Sequence, residues 1–322
     1  MRARLLAAAL AVVAIASMSA HAQPYPNRPI RVIVPQPPGG GFDLVARVIA
    51  EPLAKVMGNP VVVENRPGAG MLLGTEAAAK AEADGYTILL GAKPNIAFNA
   101  GLYDKLPYDP RADFVPIGIA SFNPYTLVAR NDLPFGSLNE ILAYARANPG
   151  KLTYASAGNG TGQHITAAVT FHLAGVQVTH VPYKGAAPAY QDLLPGRVDL
   201  FFDNSATAQP HIDARRVKPI AVSSAERYAA LREVPTVRES GLDFDNETWI
   251  GYFVRAGTPP AIVARLRADF DKVLAMPEIA AGLEKRGYRA ARLSSKDTEA
   301  MVAKDIDKWT QLIRSAGIRA SD

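Results

Sequence analysis

Two glycine-rich stretches hold the residues best placed for chemistry in this chain. Residues 35–43 read PQPPGGGFD and residues 155–164 read ASAGNGTGQH. Each follows a β-rich run, 30–34 and 152–156, and each opens an apolar-periodic segment with helical spacing. A strand that turns through glycines into a helix start leaves first-turn N–H groups unpaired at the positive end of the helix dipole, which makes an anion site. Two such loops in separate α/β units imply two lobes facing one ligand.

Other polar residues share this topological address. Asp203 and Asn204 close the run 198–202, and ligands in open α/β sheets sit outside the carboxyl ends of strands. They either face that crevice or form a plain Asx turn. Lys93 follows the run 87–91 and either neutralises a ligand carboxylate or lies solvated on a loop. His164 falls in the first turn after the second glycine loop, where it either donates to an anion or packs on a helix face. Asp43 suits a structural role, capping the helix after the first loop by accepting backbone N–H groups. Glu64 and Arg66 order a turn.

Catalytic signatures are missing from the sequence. Ser156 follows Tyr154-Ala155, so no Gly-x-Ser-x-Gly elbow exists, and there is no Walker loop. Gly158-Asn-Gly-Thr-Gly162 has the wrong spacing for a dinucleotide fingerprint. His164, His172 and His180 are spaced by eight, unlike a zinc helix, and His172 and His180 read as core or surface residues. No nucleophile–base pair or metal set is visible, so an enzyme is the weakest reading, and no cofactor is implied.

The chain has 322 residues, 48% hydrophobic and 20% charged, enough for a large core in two lobes. Its formal charge of +5 comes with both signs well mixed. No basic run marks a nucleic-acid surface. There is no cysteine, hence no disulfide, thiol nucleophile or lipobox. Arg2 and Arg4, the apolar run 5–16 and Ala20-His21-Ala22 form a secretory signal peptide over 1–22, cleaved after Ala22. No later segment is long and apolar enough to span a bilayer. The product is expected in the periplasm.

The rest alternates strand and helix, which argues for doubly wound parallel sheets. Strands are expected over 30–34, 61–64 and 87–91, with helices over 42–57, kinked at Pro52, and up to 80. A second unit starts near 125–129. Ser137-x-x-Glu140 is a capping box opening a helix to 148. Strands follow over 152–156, 178–181, 198–202 and 219–223, with a helix over 161–174. A strand over 248–255 precedes helices over 259–275, capped by Thr258, then 277–286 and 295–315. The chain is expected to cross near 121–125 and return near 246–250. Lobe 1 would comprise 23–122 and 248–322, and lobe 2 would comprise 123–247.

In order along the chain stand YPNRPIRVIVPQPPGGGFD, VVVENRPGAG, ADGYTILLG, YASAGNGTGQH, HVPYKGAAPA, VDLFFDN and VPTVRESG. This series closely resembles the Bug family, extracytoplasmic solute-binding receptors of tripartite tricarboxylate transporters. The resemblance covers the whole mature chain. It implies a type II periplasmic-binding-protein fold, two α/β lobes closing on a small organic acid in the cleft between them. It places a carboxylate on backbone amides of the first loop, at Gln36, Gly39, Gly40, Gly41, Phe42 and Asp43. The second-loop positions are Ser156, Gly158, Gly160, Thr161 and His164. Asp203 and Asn204 match the family's strand-end pair, and Tyr183 lies in its Pro-Tyr-Lys-Gly turn. The implied partners are permease subunits in the membrane, with the receptor itself a monomer. The alternative role is a receptor that signals to an extracytoplasmic sensor-kinase domain.

This chain departs from the family pattern at Gln36, Phe42, Met71, Leu72 and Lys93. Gln36 stands where Phe is usual and Phe42 where Thr is usual. Met71 and Leu72 replace small polar groups, and a small residue is common at Lys93. These changes point to a ligand with one carboxylate and an apolar or aromatic body.

Overall fold

A computed structural model describes residues 25–320. The signal peptide read over 1–22 lies outside them. Strand β1 (Ile30–Val34) is an almost wholly buried aliphatic run. It lies parallel between β2 (Val61–Asn65) and β3 (Thr87–Ala92). A fully buried parallel strand needs apolar residues on both faces, which the sequence IRVIV supplies. Helix α1 (Gly41–Met57) follows the first glycine loop and ends at Gly58, whose φ of 70° suits glycine. Pro52 lies inside α1 without ending it. Helix α2 (Leu72–Ala79) and a short π-turn (Pro94–Phe98) continuing into α3 (Asn99–Leu102) flank β3.

Strand β4 (Phe114–Arg130) runs from one lobe into the other. Its first part pairs antiparallel with β9 (Glu247–Arg255), and its last residues pair antiparallel with β7 (Leu200–Asn204) and β8 (Val217–Val222). Strands β5 (Thr153–Ser156) and β6 (Thr179–Pro182) extend the second sheet, with β5 parallel to both β6 and β7. The short β10 (Arg289–Ala290) pairs with β4 near Phe122. Helices α4 (Leu138–Ala147), α5 (Gly162–Leu173), α6 (Ala186–Leu193) and α7 (Ser205–Asp213) cover the second sheet. Helices α8 (Pro260–Leu274), α9 (Pro277–Glu284) and α10 (Ser295–Ser315) return to the first.

The sheets are therefore mixed, where the alternation of elements implied parallel ones. The physical reason is the crossing pair. Each lobe has a parallel set, and each set is joined by a strand running in from the other lobe: β9 beside β3, and β4 beside β7. The first part of β4 escaped the sequence reading because Pro116, Gly118 and Pro124 break its pattern. The strand accommodates Pro116 and Gly118 at a register irregularity between them, with a second between Ile119 and Ser121. The expected capping box forms, with Glu140 N–H on Ser137 Oγ at 3.3 Å and Ser137 N–H on Glu140 Oε2 at 3.1 Å. Thr258 does not cap the helix after it. Its hydroxyl donates to the Arg255 carbonyl at 2.7 Å, and Pro259 takes the cap position.

One buried cluster joins β1 and β3, through Phe98 and Trp309, to Leu127, Ile165 and Phe202 of the second lobe. A second packs α1, α8 and α9 on the other face of the first sheet. At the centre of that sheet Gly251 pairs with Gly91 and Ile119. A Cβ on Gly251 would stand 2.6 Å from Ile119 Cδ1 and 2.9 Å from the Gly118 carbonyl oxygen. We expect Gly251→Ala to lower unfolding stability by about 1–3 kcal/mol through overpacking, measured by urea unfolding. An unchanged midpoint would show that the strands can part without cost.

Candidate functional site

The two glycine loops share one internal design. Gly40 is the N-cap of α1 and Thr161 the N-cap of α5. The residue before each cap is a glycine with positive φ, 79° at Gly39 and 74° at Gly160. The N–H of each glycine donates to the side chain four residues on, in the first helical turn. Gly39 N–H meets Asp43 Oδ2 at 2.9 Å, and Gly160 N–H meets His164 Nδ1 at 3.2 Å. Both acceptors are buried. Each loop is thus folded around an acceptor beneath it, and the N–H groups of the helix's first residues face outward.

Asp43 is fully engaged. Beyond Gly39, its Oδ2 accepts from Arg47 Nε at 2.9 Å and its Oδ1 from Asn65 Nδ2 at 2.9 Å. Burial opposes ionisation, but hydrogen bonds from Arg47, Gly39 and Asn65 outweigh it and hold the carboxyl below its ordinary range. Asp43 supports the loop from the third helical position and is not the cap. His164 is likewise no anion donor at Nδ1. Burial first, then the neighbouring His180, pushes it down to about 3, so the imidazole is neutral. Its ring stacks on His180 at 4.1 Å.

The remaining side chains of the second loop are also turned inward. Thr161 Oγ1 donates to the Gly158 carbonyl at 2.7 Å and accepts from His164 N–H at 3.4 Å. Ser156 Oγ accepts from Gly158 N–H at 3.1 Å and lies 2.7 Å from His180 Nε2. The sequence showed no serine–histidine pair; the fold makes one, because Ser156 and His180 lie on the neighbouring strands β5 and β6. Ser156 is fully buried under Gly158, so the pair braces the loop and offers no reachable nucleophile. Tyr183 points its hydroxyl at Asp192 Oδ2, 2.9 Å away, and its carbonyl oxygen would stand 3.2 Å from a Cβ added at Gly158.

The first helical bond of α1 is Leu44 N–H to the Gly40 carbonyl, and that of α5 is Ile165 N–H to the Thr161 carbonyl. This leaves the N–H groups of Gly41, Phe42 and Asp43, and of Gly162 and Gln163, without helical acceptors. The first helical residue is glycine in both. A Cβ on Gly41 would collide with the Tyr288 hydroxyl, and one on Gly162 with the Tyr125 hydroxyl. Tyr125 and Tyr288 escaped the sequence reading. The repeated Gly-x-Gly-x-Asp/His over 39–43 and 160–164 was the signal for the shared loop design.

Several expected ligand contacts are corrected. Lys93 is buried, and its Nζ lies 3.2 Å from Asp305 Oδ2 and 3.3 Å from Asn246 Oδ1. It is neither a solvated loop lysine nor an unpaired cation for a ligand. Burial lowers its pKa, with Asp305 acting against that shift. Phe42 and Met71 are buried in the cluster behind α1, and Leu72 packs half-buried against the other core cluster. Their bulk fills protein interior, which removes the ground for an aromatic ligand. Gln36 remains half-buried beside Met71, with Nε2 4.0 Å from Sδ.

Asp203 and Asn204 do end β7, as the sequence suggested. Asp203 is fully buried. Its Oδ1 accepts from Asn204 N–H at 2.8 Å and Gln163 Nε2 at 3.3 Å. Its Oδ2 is buried without a full hydrogen bond, although the Tyr190 hydroxyl lies beside it. Burial pushes this carboxyl up to about 7, against the pull of Gln163, Tyr190 and Asn204.

Residues 45–318 match the family described as Tripartite tricarboxylate transporter family receptor. The chain belongs to this receptor family. A Pseudomonas sp. (strain P51) UPF0065 protein is 38% identical over 97% of this chain and 94% of its own. Protein BugT of Bordetella pertussis is 33% identical over 98% of each chain. Among solved structures, R. palustris Rpa4515 with adipate matches with a TM-score of 0.83 and 32% identity, over 92% of this chain and 99% of its own. MatC from Rhodopseudomonas palustris, with bound malate, matches with a TM-score of 0.81 and 32% identity, over 90% and 100%. Periplasmic binding protein BugD matches with a TM-score of 0.80 and 34% identity, over 92% and 99%. The receptor thus has the two-lobed α/β fold expected of it.

Three outcomes follow from this geometry. Gly160→Val forces a β-branched residue into left-handed backbone, with its Cβ 3.3 Å from Leu102 Cδ1. It should abolish ligand binding in calorimetry while leaving the circular dichroism spectrum unchanged; retained affinity would refute the loop's role. Asp305→Asn strands the buried Lys93 ammonium and should cost about 3 kcal/mol in urea unfolding. Adding Lys93→Met should recover part of that loss, and no recovery would show the pair is not coupled. Asp203 keeps its proton in the folded state up to about pH 7, while the unfolded chain releases it near 4. The phenols of Tyr125, Tyr190 and Tyr288 near it are raised further and do not titrate in this window. Stability from this group therefore falls as pH rises from about 4 to 7. Asp203→Asn should gain on the parent protein across that window, and a pH-independent difference would refute the burial argument.

Proposed function

We propose that the protein is a periplasmic receptor that captures a small organic acid and delivers it to the membrane permease of a tripartite tricarboxylate-type transporter. The observation that carries this reading is the pair of helix starts at Gly41 and Gly162, each with unpaired N–H groups. The side chains around them are committed to the loops. A charge-assisted hydrogen bond contributes about 1.5–3 kcal/mol, against about 1 kcal/mol from the helix dipole, so the N–H donors decide affinity. Glycine permits the close approach that these donors need.

Lobe 1 (23–122 and 248–322) seats one carboxylate on Gly41, Phe42 and Asp43. Lobe 2 (123–247) meets the other end through Gly162, Gln163, Asp203 and Asn204. Rotation about the two crossings, near 121–125 and 246–250, closes the cleft. The ligand shifts that equilibrium only by its extra contacts in the closed form. The adipate and malate of the related structures make dicarboxylates the first class to examine. The leader, cleaved after Ala22, sends the receptor to the periplasm as a monomer. Among the described residues no helix is long and apolar enough to cross a membrane.

Calorimetry with adipate, malate, hexanoate and the diamide of adipate tests the reading. At least one acid should bind and the diamide should not. Binding of none of the acids, or equal binding of the diamide, would overturn it.

A further inference from the structure

The segment after α9 passes through the mouth of the site. Gly287 lies against the start of α7: a Cβ there would stand 2.7 Å from Ala206 Cβ, just beyond Asp203 and Asn204. The Gly287 carbonyl is held from two sides, by Asn123 Nδ2 at 2.7 Å and the Tyr228 hydroxyl at 2.9 Å. The next residue, Tyr288, buries its ring in the cluster beneath α1 and brings its hydroxyl onto Gly41. Gly287 and Tyr288 thus touch the start of α7 in one lobe and the start of α1 in the other.

The Tyr288 hydroxyl has no hydrogen-bond partner among the described residues. A core position filled only for packing would be served by phenylalanine, and the Tyr288 oxygen, unlike those of Tyr190 and Tyr252, is not among the fully buried polar atoms without a partner, so it stays reachable beside Gly41. The hydroxyl lies against Gly41, the first residue of α1, at the helix start on which the proposed carboxylate is seated. Asp203, across the cleft, leaves its Oδ2 without a full hydrogen bond. An acid lying between these points would give the phenol an acceptor. Burial, then the nearby Asp203 carboxyl, keeps the phenol protonated, so it stays a donor.

We infer that Tyr288 is a ligand contact supplied by a third segment of the chain, hydrogen-bonding the carboxylate seated on the first turn of α1 and limiting the length of acid that fits above it. This rests on the carboxylate-receptor reading.

Tyr288→Phe keeps the ring and removes the donor. Tyr288→Ala also removes the wall. Both are titrated, beside the parent protein, with adipate, malate, hexanoate and the eight-carbon dicarboxylate suberate, and their melting temperatures without ligand are recorded. Tyr288→Phe should weaken the acid that the parent binds by roughly 10- to 100-fold, as expected for losing a hydrogen bond to a charged group. Its ligand-free melting temperature should stay within a few degrees, about the shift a small stability change gives. Tyr288→Ala should raise the affinity for suberate relative to the shorter acids. If the parent binds an acid and Tyr288→Phe binds it equally well, this inference falls and the receptor reading stands. If the parent binds none of the acids, the receptor reading falls and takes the inference with it.

Discussion

The structure of the site depends on one recurring hydrogen bond, from the glycine before a helix cap to a buried acceptor in that helix's first turn. A glycine loop alone is floppy, because glycine has more conformational freedom to lose than any other residue. Asp43 and His164 supply fixed points around which 39–43 and 160–164 fold. One acceptor is an anion stabilised by Arg47 and Asn65. The other is a neutral imidazole sandwiched by burial and His180. Both leave the following N–H groups aimed away from the acceptor. Asp43 and His164, which the sequence singles out, therefore act one layer beneath the helix starts.

One lysine that the sequence offers as a ligand cation is already paired. Lys93 is held by Asp305, which also accepts from Trp249 Nε1 at 2.7 Å. From Lys93 the bonding continues to Asn246 at the return crossing. Asn246 Nδ2 donates to Thr166 Oγ1 at 2.8 Å, and Thr166 donates to the Gly162 carbonyl at 2.6 Å. A buried ion pair of the first lobe is thus joined by direct hydrogen bonds to the first turn of α5 in the second. Neutral donors in a low-dielectric setting hold an anion well without a fixed positive charge that would retain it as an ion pair.

The crossing strands explain how two lobes can face each other at all. β4 and β9 each belong to one lobe's sheet while arriving from the other lobe, so the strand ends carrying the loops open toward a common cleft. Behind them, α10 packs on the π-turn, β4 and α5, and closes the opposite side with Phe98, Trp309 and Ile313.

The sequence by itself determined most of the regular elements and the two glycine loops. Aliphatic runs such as 30–34, the capping box at Ser137 and Glu140, and the glycine clusters are local signals, and local signals survive into the fold because each is satisfied within a few residues. The helix over 295–315 was legible to the residue for the same reason. The family pattern carried the two-lobed architecture. Tertiary structure alone decided which side chains face the ligand. Lys93, 212 positions before its partner Asp305 in sequence, could not be seen as half of a buried pair. Phe42 and Met71 looked like cleft residues until packing placed both in the core, and nothing local marked Tyr288 until the chain after α9 brought it to Gly41. Contacts between residues far apart in sequence depend on where whole elements are packed, and no local pattern encodes that.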